Sequence, residues 1–204
     1  MVVTGATDGI GKEYVKWLTQ RNYRVVAIGR NSDKLAETVK IHPELVTPYQ
    51  LDFTTIKMDP ESVTQHWELM KEAVSTTGGE LKLGGVVNCV GMAHFCPYFD
   101  LSLEKVDQIH RTNIDSLHLM LQILLLQAKL DRTPNPFFVN ISSVASQYPS
   151  PRSSVYGATK AYLSNMIAAV SQEESNTTFL DVKPHYVTTK MVGNMKDWDT
   201  ASPS

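Results

Sequence analysis

The sequence is poor in cysteine. Cys89 and Cys96 are the only two among 204 residues. Two thiols build neither a disulfide framework nor a four-ligand zinc site, so a reducing compartment and no metal site are expected. No excess of charge exists either, with 19 Lys and Arg against 21 Asp and Glu and a net charge of -2. That balance excludes the basic footprint of a nucleic-acid binder and gives no pull toward an anionic membrane surface. Long hydrophobic runs are missing as well. The most apolar stretch, Leu117 to Leu130, is too short to span a bilayer and is interrupted by His118, Gln122, Gln127 and Lys129, so it reads as a buried helix. No signal-peptide pattern precedes the first apolar segment, and there are no repeats or low-complexity tracts. On these grounds the chain by itself would be cytoplasmic.

What is present is ordinary globular material, 42% hydrophobic and 20% charged, enough for one α/β domain over residues 1–204. The organising stretch is Val2-Val3-Thr4-Gly5-Ala6-Thr7-Asp8-Gly9-Ile10-Gly11. Val2 and Val3 read as a buried strand. Ile10, Tyr14, Val15 and Leu18 then share a helical face. Strand, glycine-rich turn and helix are the layout of a dinucleotide-binding unit. Gly5 allows the tight turn, Gly9 lets backbone N–H groups approach a pyrophosphate, and Gly11 lets the helix lie close on the sheet. The spacing is G-x-x-x-G-x-G rather than the commoner G-x-G-x-x-G.

Further strands are expected at Arg24–Ile28, Leu45–Leu51, Gly85–Asn88, Phe137–Ile141 and Phe179–Val182, with Pro48 a weak point in the second of these. Helices are expected at Lys34–Ile41 with Ser32 or Asp33 as cap, from Asp59-Pro60-Glu61 onward, at Ser102–Leu130 and at Val155–Ser171. Thr76–Leu83 reads as a loop. Alternating strands and helices imply a doubly wound, mostly parallel sheet. Such a fold normally adds one more helix and a seventh strand, so the chain reads as truncated or as a degenerate paralogue.

The chemistry-bearing residues cluster late. Tyr156 and Lys160 stand at i and i+4 on one helix face, where a cation beside a phenol favours the phenolate. Ser143 falls at the end of the fifth strand, where open parallel sheets bind ligands, with Ser142 as a competitor. Asn113 interrupts a long apolar helix without a propensity reason.

Together, Thr4-Gly5 through Gly11, Asp52, Asn88-Cys89-Val90-Gly91, Asn113, Ser143, Tyr156-Lys160 and Pro184 through Thr189 resemble the classical short-chain dehydrogenase/reductase family. Thr7 through Lys12, Val90-Gly91-Met92 and Pro184 through Met191 are similar to the branch of very-long-chain 3-oxoacyl-CoA reductases and 17β-hydroxysteroid dehydrogenases. The resemblance implies that Tyr156 protonates a substrate carbonyl while Lys160 lowers its pKa and holds the nicotinamide ribose. It implies that Ser143 hydrogen-bonds the carbonyl and that Asn113 bends its helix and holds a relay water. Gly5, Thr7, Gly9, Ile10, Gly11, Asn88 and Gly91 would bind the cofactor, with Asp52 at the adenine and Val187 and Thr189 at the carboxamide. Gly29 stands where an acid would select NAD, and Arg30 follows it, so NADP(H) is favoured. The expected reaction is reduction of a 3-oxoacyl-CoA in fatty-acid elongation. A 17-ketosteroid reductase and a non-catalytic nucleotide-binding paralogue are the alternatives.

The resemblance further implies a homodimer through Asp107–Leu130 and Ala161–Val170. It implies an endoplasmic-reticulum location, with membrane attachment only through flanking segments. Two departures stand out. Cys89 replaces a structural amide of the family, and His185 replaces the glycine after Pro184.

Overall fold

The computed structural model describes residues 1–75, 82–185 and 187. Six strands form one parallel sheet in the order β3-β2-β1-β4-β5-β6. They are β1 Val2–Thr4, β2 Val25–Gly29, β3 Val46–Gln50, β4 Gly85–Asn88, β5 Phe137–Ile141 and β6 Thr178–Val182. The helices are α1 Gly9–Thr19, α2 Ser32–Val39, α3 Pro60–Ser75, α4 Leu103–His110, α5 Ser116–Asp131 and α6 Ser154–Glu173. This is the expected doubly wound sheet. Its order reverses between β1 and β4, and a crevice opens there at the carboxyl ends of the strands.

Both faces of the sheet are covered, so the apolar runs of its strands need no alternation. One core joins Val3, Ala27, Val87 and Val139 to Val15 and Leu18 of α1 and Leu35 of α2. The other joins Val2, Ile28, Val86 and Phe138 to Trp67 and Met70 of α3, Leu117, Met120 and Leu124 of α5, and Leu163 and Ile167 of α6. Phe138 has no exposed surface, and truncating such a ring to alanine costs about 3–5 kcal/mol. Among the described residues no helix is long and apolar enough to cross a membrane. Leu126 and Leu130 of α5 and Tyr162 of α6 stay exposed, and these are the residues the expected dimer would cover.

Several local expectations are corrected. The cap of α2 is Asn31, whose side chain accepts from Lys34 N at 2.8 Å, rather than Ser32 or Asp33. Pro48 does belong to a strand. β3 is the outer strand here, and its ladder runs through Val25 N to Leu45 O and Leu51 N to Gly29 O. The missing N–H of Pro48 therefore falls on the open edge. The stretch expected as one helix from Ser102 is α4, a π turn over Arg111–Asp115, and then α5. Most of the expected Thr76–Leu83 loop lies outside the described residues.

Candidate functional site

The crevice at the switch point is a cleft of about 490 Å³. One wall is backbone. Gly5 and Gly9 have positive φ of 62° and 48°, a region costly for residues with a Cβ. Gly11 is needed for a different reason, because a Cβ there would lie 2.3 Å from the Gly5 carbonyl oxygen. Gly11 thus lets α1 lie against the end of β1, so that its first turn points N–H groups into the cleft. Asp8 caps this helix, accepting from Gly9 N at 2.9 Å, with Lys34 3.6 Å away. An open helix N-terminus with positive-φ glycines on a polar cleft fits a pyrophosphate.

Thr7, Gly29, Arg30 and Asp52 continue this wall. The Thr7 methyl packs where a Cβ on Gly29 would stand, 2.7 Å away. Arg30 is exposed at the rim. Asp52 turns its carboxylate back on Thr54, accepting from its N–H at 2.9 Å and its hydroxyl at 2.8 Å.

The opposite wall is made of side chains. Ser143 follows β5 and caps a short 3₁₀ turn, Val144–Ser146, by accepting from Ala145 N at 3.1 Å. Tyr156 and Lys160 come from the first turns of α6, and all three residues line the cleft. Burial raises the Tyr156 phenol above its usual value, opposed by a hydrogen bond with the Ser143 hydroxyl. Here burial, rather than the expected influence of Lys160, sets the direction. The ammonium lies 5.6 Å from the ring centroid and donates to Ile141 O at 2.8 Å. Desolvation of the phenol dominates. Lys160 itself, 3% exposed, is pushed down to about 8 by burial, which the Asp181 carboxylate opposes. Ser142 also lines the cleft, but its hydroxyl donates to Val182 O at 3.1 Å.

Asn113 is fully buried in the π turn. Its oxygen accepts from Met92 N at 2.7 Å, and its amide donates to Met92 O at 3.1 Å and Thr159 Oγ1 at 2.9 Å. The side chain clamps the loop after β4 to α6 and does not line the cleft. Gly91 does, and a Cβ on it would sit 3.4 Å from the Lys160 ammonium. Asn88, expected at the cofactor, lies within the sheet. It accepts from the Thr4 hydroxyl at 2.9 Å and donates to Asn140 Oδ1 at 3.3 Å.

At Cys89, where the family has an amide, the backbone is held by Thr4, whose oxygen also accepts from Cys89 N and Val90 N, each at 3.0 Å. That uses the full capacity of a hydroxyl. Burial pushes the Cys89 thiol up to about 12, so it stays protonated. Val187 and His185 line the cleft mouth, and Thr189 lies outside the described residues. Thr159, Asn140, Ser164 and Asp181 are absent from the sequence reading. Their signal is polarity at positions where strand and helix patterns call for apolar residues.

Comparison with known proteins agrees with this geometry. The short chain dehydrogenase family model matches residues 1–200. Very-long-chain 3-oxoacyl-CoA reductase of Bos taurus is 31% identical over 99% of this chain and 64% of its own length. Very-long-chain 3-oxoacyl-CoA reductase-B of Danio rerio is 32% identical over 93% of this chain and 60% of its own. The chain therefore spans somewhat under two thirds of these relatives. A short-chain dehydrogenase from Shigella flexneri complexed with NADP superposes with a TM-score of 0.83 at 22% identity, over 99% of this chain and 82% of that one. One from Sphingobium yanoikuyae in complex with NADPH gives 0.80 at 23%, over 100% and 77%. By the extent of the family match and by this fold, the chain belongs to the short-chain dehydrogenase family.

Proposed function

We propose that this chain performs NADPH-dependent reduction of a ketone to a secondary alcohol, with a 3-oxoacyl-CoA as substrate. The observation that carries the reading is convergence on one cleft. The Tyr156 phenol and Ser143 hydroxyl face the glycine turn from the opposite wall. Arg30 and the absence of an acid after Gly29 favour a 2′-phosphate over a free ribose hydroxyl. The similarity to very-long-chain 3-oxoacyl-CoA reductases supports the acyl-CoA class, and the NADP and NADPH complexes of its structural neighbours support the cofactor.

When bound, the nicotinamide supplies a hydride to the carbonyl carbon. The chain's own residues manage the proton. Burial keeps the Tyr156 phenol protonated at neutral pH, so it serves as the acid toward the carbonyl oxygen. Ser143 Oγ already accepts from Ala145 N, so its own proton, which faces the Tyr156 oxygen in this structure, is the one it would turn to the same carbonyl oxygen. Lys160, close to the ring, stabilises the phenolate left behind. Asn113 holds the loop after β4, and with it Gly91, against the face where Lys160 lies.

The test of the substrate is NADPH oxidation followed at saturating 3-oxoacyl-CoA and, in parallel, at a saturating 17-ketosteroid. Turnover with the acyl-CoA and little with the steroid is expected. The reverse preference overturns the substrate assignment, while binding of NADPH with no turnover on either leaves a nucleotide-binding protein.

A further inference from the structure

We propose that Ser164 and Asp181 are positioning residues of the reductase site: their hydrogen bond fixes the rotation of α6 that aims Tyr156 and Lys160 into the cleft. The proposal rests on the roles given to those two residues above.

Tyr156, Lys160 and Ser164 follow one another at intervals of four on α6 and so share a face. Besides the packing of Leu163 and the Tyr162–His118 hydrogen bond, three contacts tie this part of the helix down. Thr159 accepts from Asn113 at 2.9 Å, Lys160 reaches Ile141 O at 2.8 Å, and the Ser164 hydroxyl donates to Asp181 Oδ2 at 2.7 Å. They differ in stiffness. The lysine spans its distance on a four-carbon stem and tolerates rotation of the helix. Ser164 reaches through a single carbon, so a small rotation breaks its bond.

Asp181 is itself held on every side. Its side chain is 11% exposed, Lys183 lies 2.8 Å from Oδ2, and Asn140 donates to Oδ1 at 2.8 Å. Asn140 accepts from Asn88, and Asn88 from Thr4. These four residues are register partners on adjacent strands, Thr4 with Asn88, Asn88 with Asn140, and Asn140 with Asp181. A single polar row thus crosses the sheet beneath the cleft. It starts at the strand that ends in the glycine turn and finishes on the helix that carries Tyr156.

A row of this kind is a poor source of stability, because well-packed apolar residues of similar volume often hold a core as well or better. What it supplies is geometry: every donor has one acceptor at one place. The groups facing Lys160 are Cys89 at the end of β4, Asp181 on β6 and Tyr156 on its own helix. Of these only Asp181 is charged at neutral pH, and it opposes the burial that lowers the ammonium.

The experiment uses the full chain with Ser164→Ala, Ser164→Thr and Asp181→Asn, reading turnover, NADPH affinity, thermal midpoint and lysine titration by NMR of ¹³Cε-labelled lysine. Lys160→Met identifies the resonance. Ser164→Ala should lower kcat roughly 10- to 100-fold, the scale of a small misplacement of a reacting group, while KM and NADPH affinity stay within about twofold. Ser164→Thr, which keeps the hydroxyl, should restore kcat. In wild type the Lys160 resonance should titrate near 8, and in Asp181→Asn its midpoint should fall. A kcat unchanged in Ser164→Ala, a loss that only tracks the unfolded fraction, failure of Ser164→Thr to rescue, or an unmoved lysine midpoint each overturns the proposal. Titration needs no turnover. A wild type that reduces no ketone therefore counts against the reductase reading, and an unmoved midpoint against the positioning pair.

Discussion

The two walls of the cleft are built by opposite means. The wall at β1, β2 and α1 works with backbone: positive φ at Gly5 and Gly9, a carbonyl 2.3 Å from where a Cβ of Gly11 would be, and the open first turn of a helix. The wall at β5 and α6 works with side chains whose aim depends on partners far away in sequence. Examples are Asn113 on Thr159 across 46 residues and Lys160 on Ile141 across 19. A backbone wall is fixed once the chain turns correctly. A side-chain wall is fixed only when distant elements are already packed. One wall suits the part of a ligand that needs holding, the other the part that needs chemistry.

Substitutions on each side sharpen that difference. Gly11→Ala should give the largest effect. Alanine gains about 1 kcal/mol of helix propensity over glycine. The clash with Gly5 O forces backbone apart, and overpacking of this kind costs about 1–3 kcal/mol or more. The clash wins because a carbonyl in a tight turn cannot rotate away. Calorimetry should show a lowered thermal midpoint, and fluorescence titration should show NADPH binding lost. A variant that binds normally breaks the backbone account.

On the other wall, Thr159→Val keeps the shape and removes a hydroxyl. It leaves one Asn113 amide proton without an acceptor in a fully buried place, a loss of about 1–3 kcal/mol. Stability by urea titration should fall by that amount and turnover with it, whereas NADPH affinity should hold. Equal losses in both would mean that the walls are not independent. The smallest effect is expected at the exposed rim. Arg30→Ala should weaken NADPH by about tenfold, the lower end for a charge-assisted hydrogen bond screened by water, and leave NADH unchanged. Unchanged NADPH affinity would remove Arg30 from the cofactor site.

The same contrast decides what could be read from the sequence. The glycine turn was legible because its constraint is local: Gly5, Gly9 and Gly11 must be glycine whatever surrounds them. The strand bounds at Gly85–Asn88 and Phe137–Ile141 were legible because short apolar runs between turn residues fit only buried strands. Tyr156, Lys160 and Ser143 were legible as residues but not in their electrostatics. Spacing on a helix puts an ammonium near a phenol, yet only packing reveals that desolvation outweighs it and that the ammonium bonds Ile141 O. Asn88 was assigned to the cofactor through the family resemblance, while its side chain turns into the sheet to meet Thr4 and Asn140. The break in the helix at Asn113 was marked by the family resemblance, whereas the row ending at Asp181 arises from pairings between elements, and no window of sequence contains both partners.

The central claim is that Tyr156 delivers the proton in ketone reduction. Tyr156→Phe keeps the ring and removes the hydroxyl, and a positioned acid contributes roughly 10²–10⁴ in rate. Single-turnover reduction of a 3-oxoacyl-CoA by preformed NADPH complexes of wild type and Tyr156→Phe tests it directly. A loss of that size in the chemical step, with NADPH affinity nearly unchanged, is the predicted result. A variant that keeps most of its rate would contradict the account.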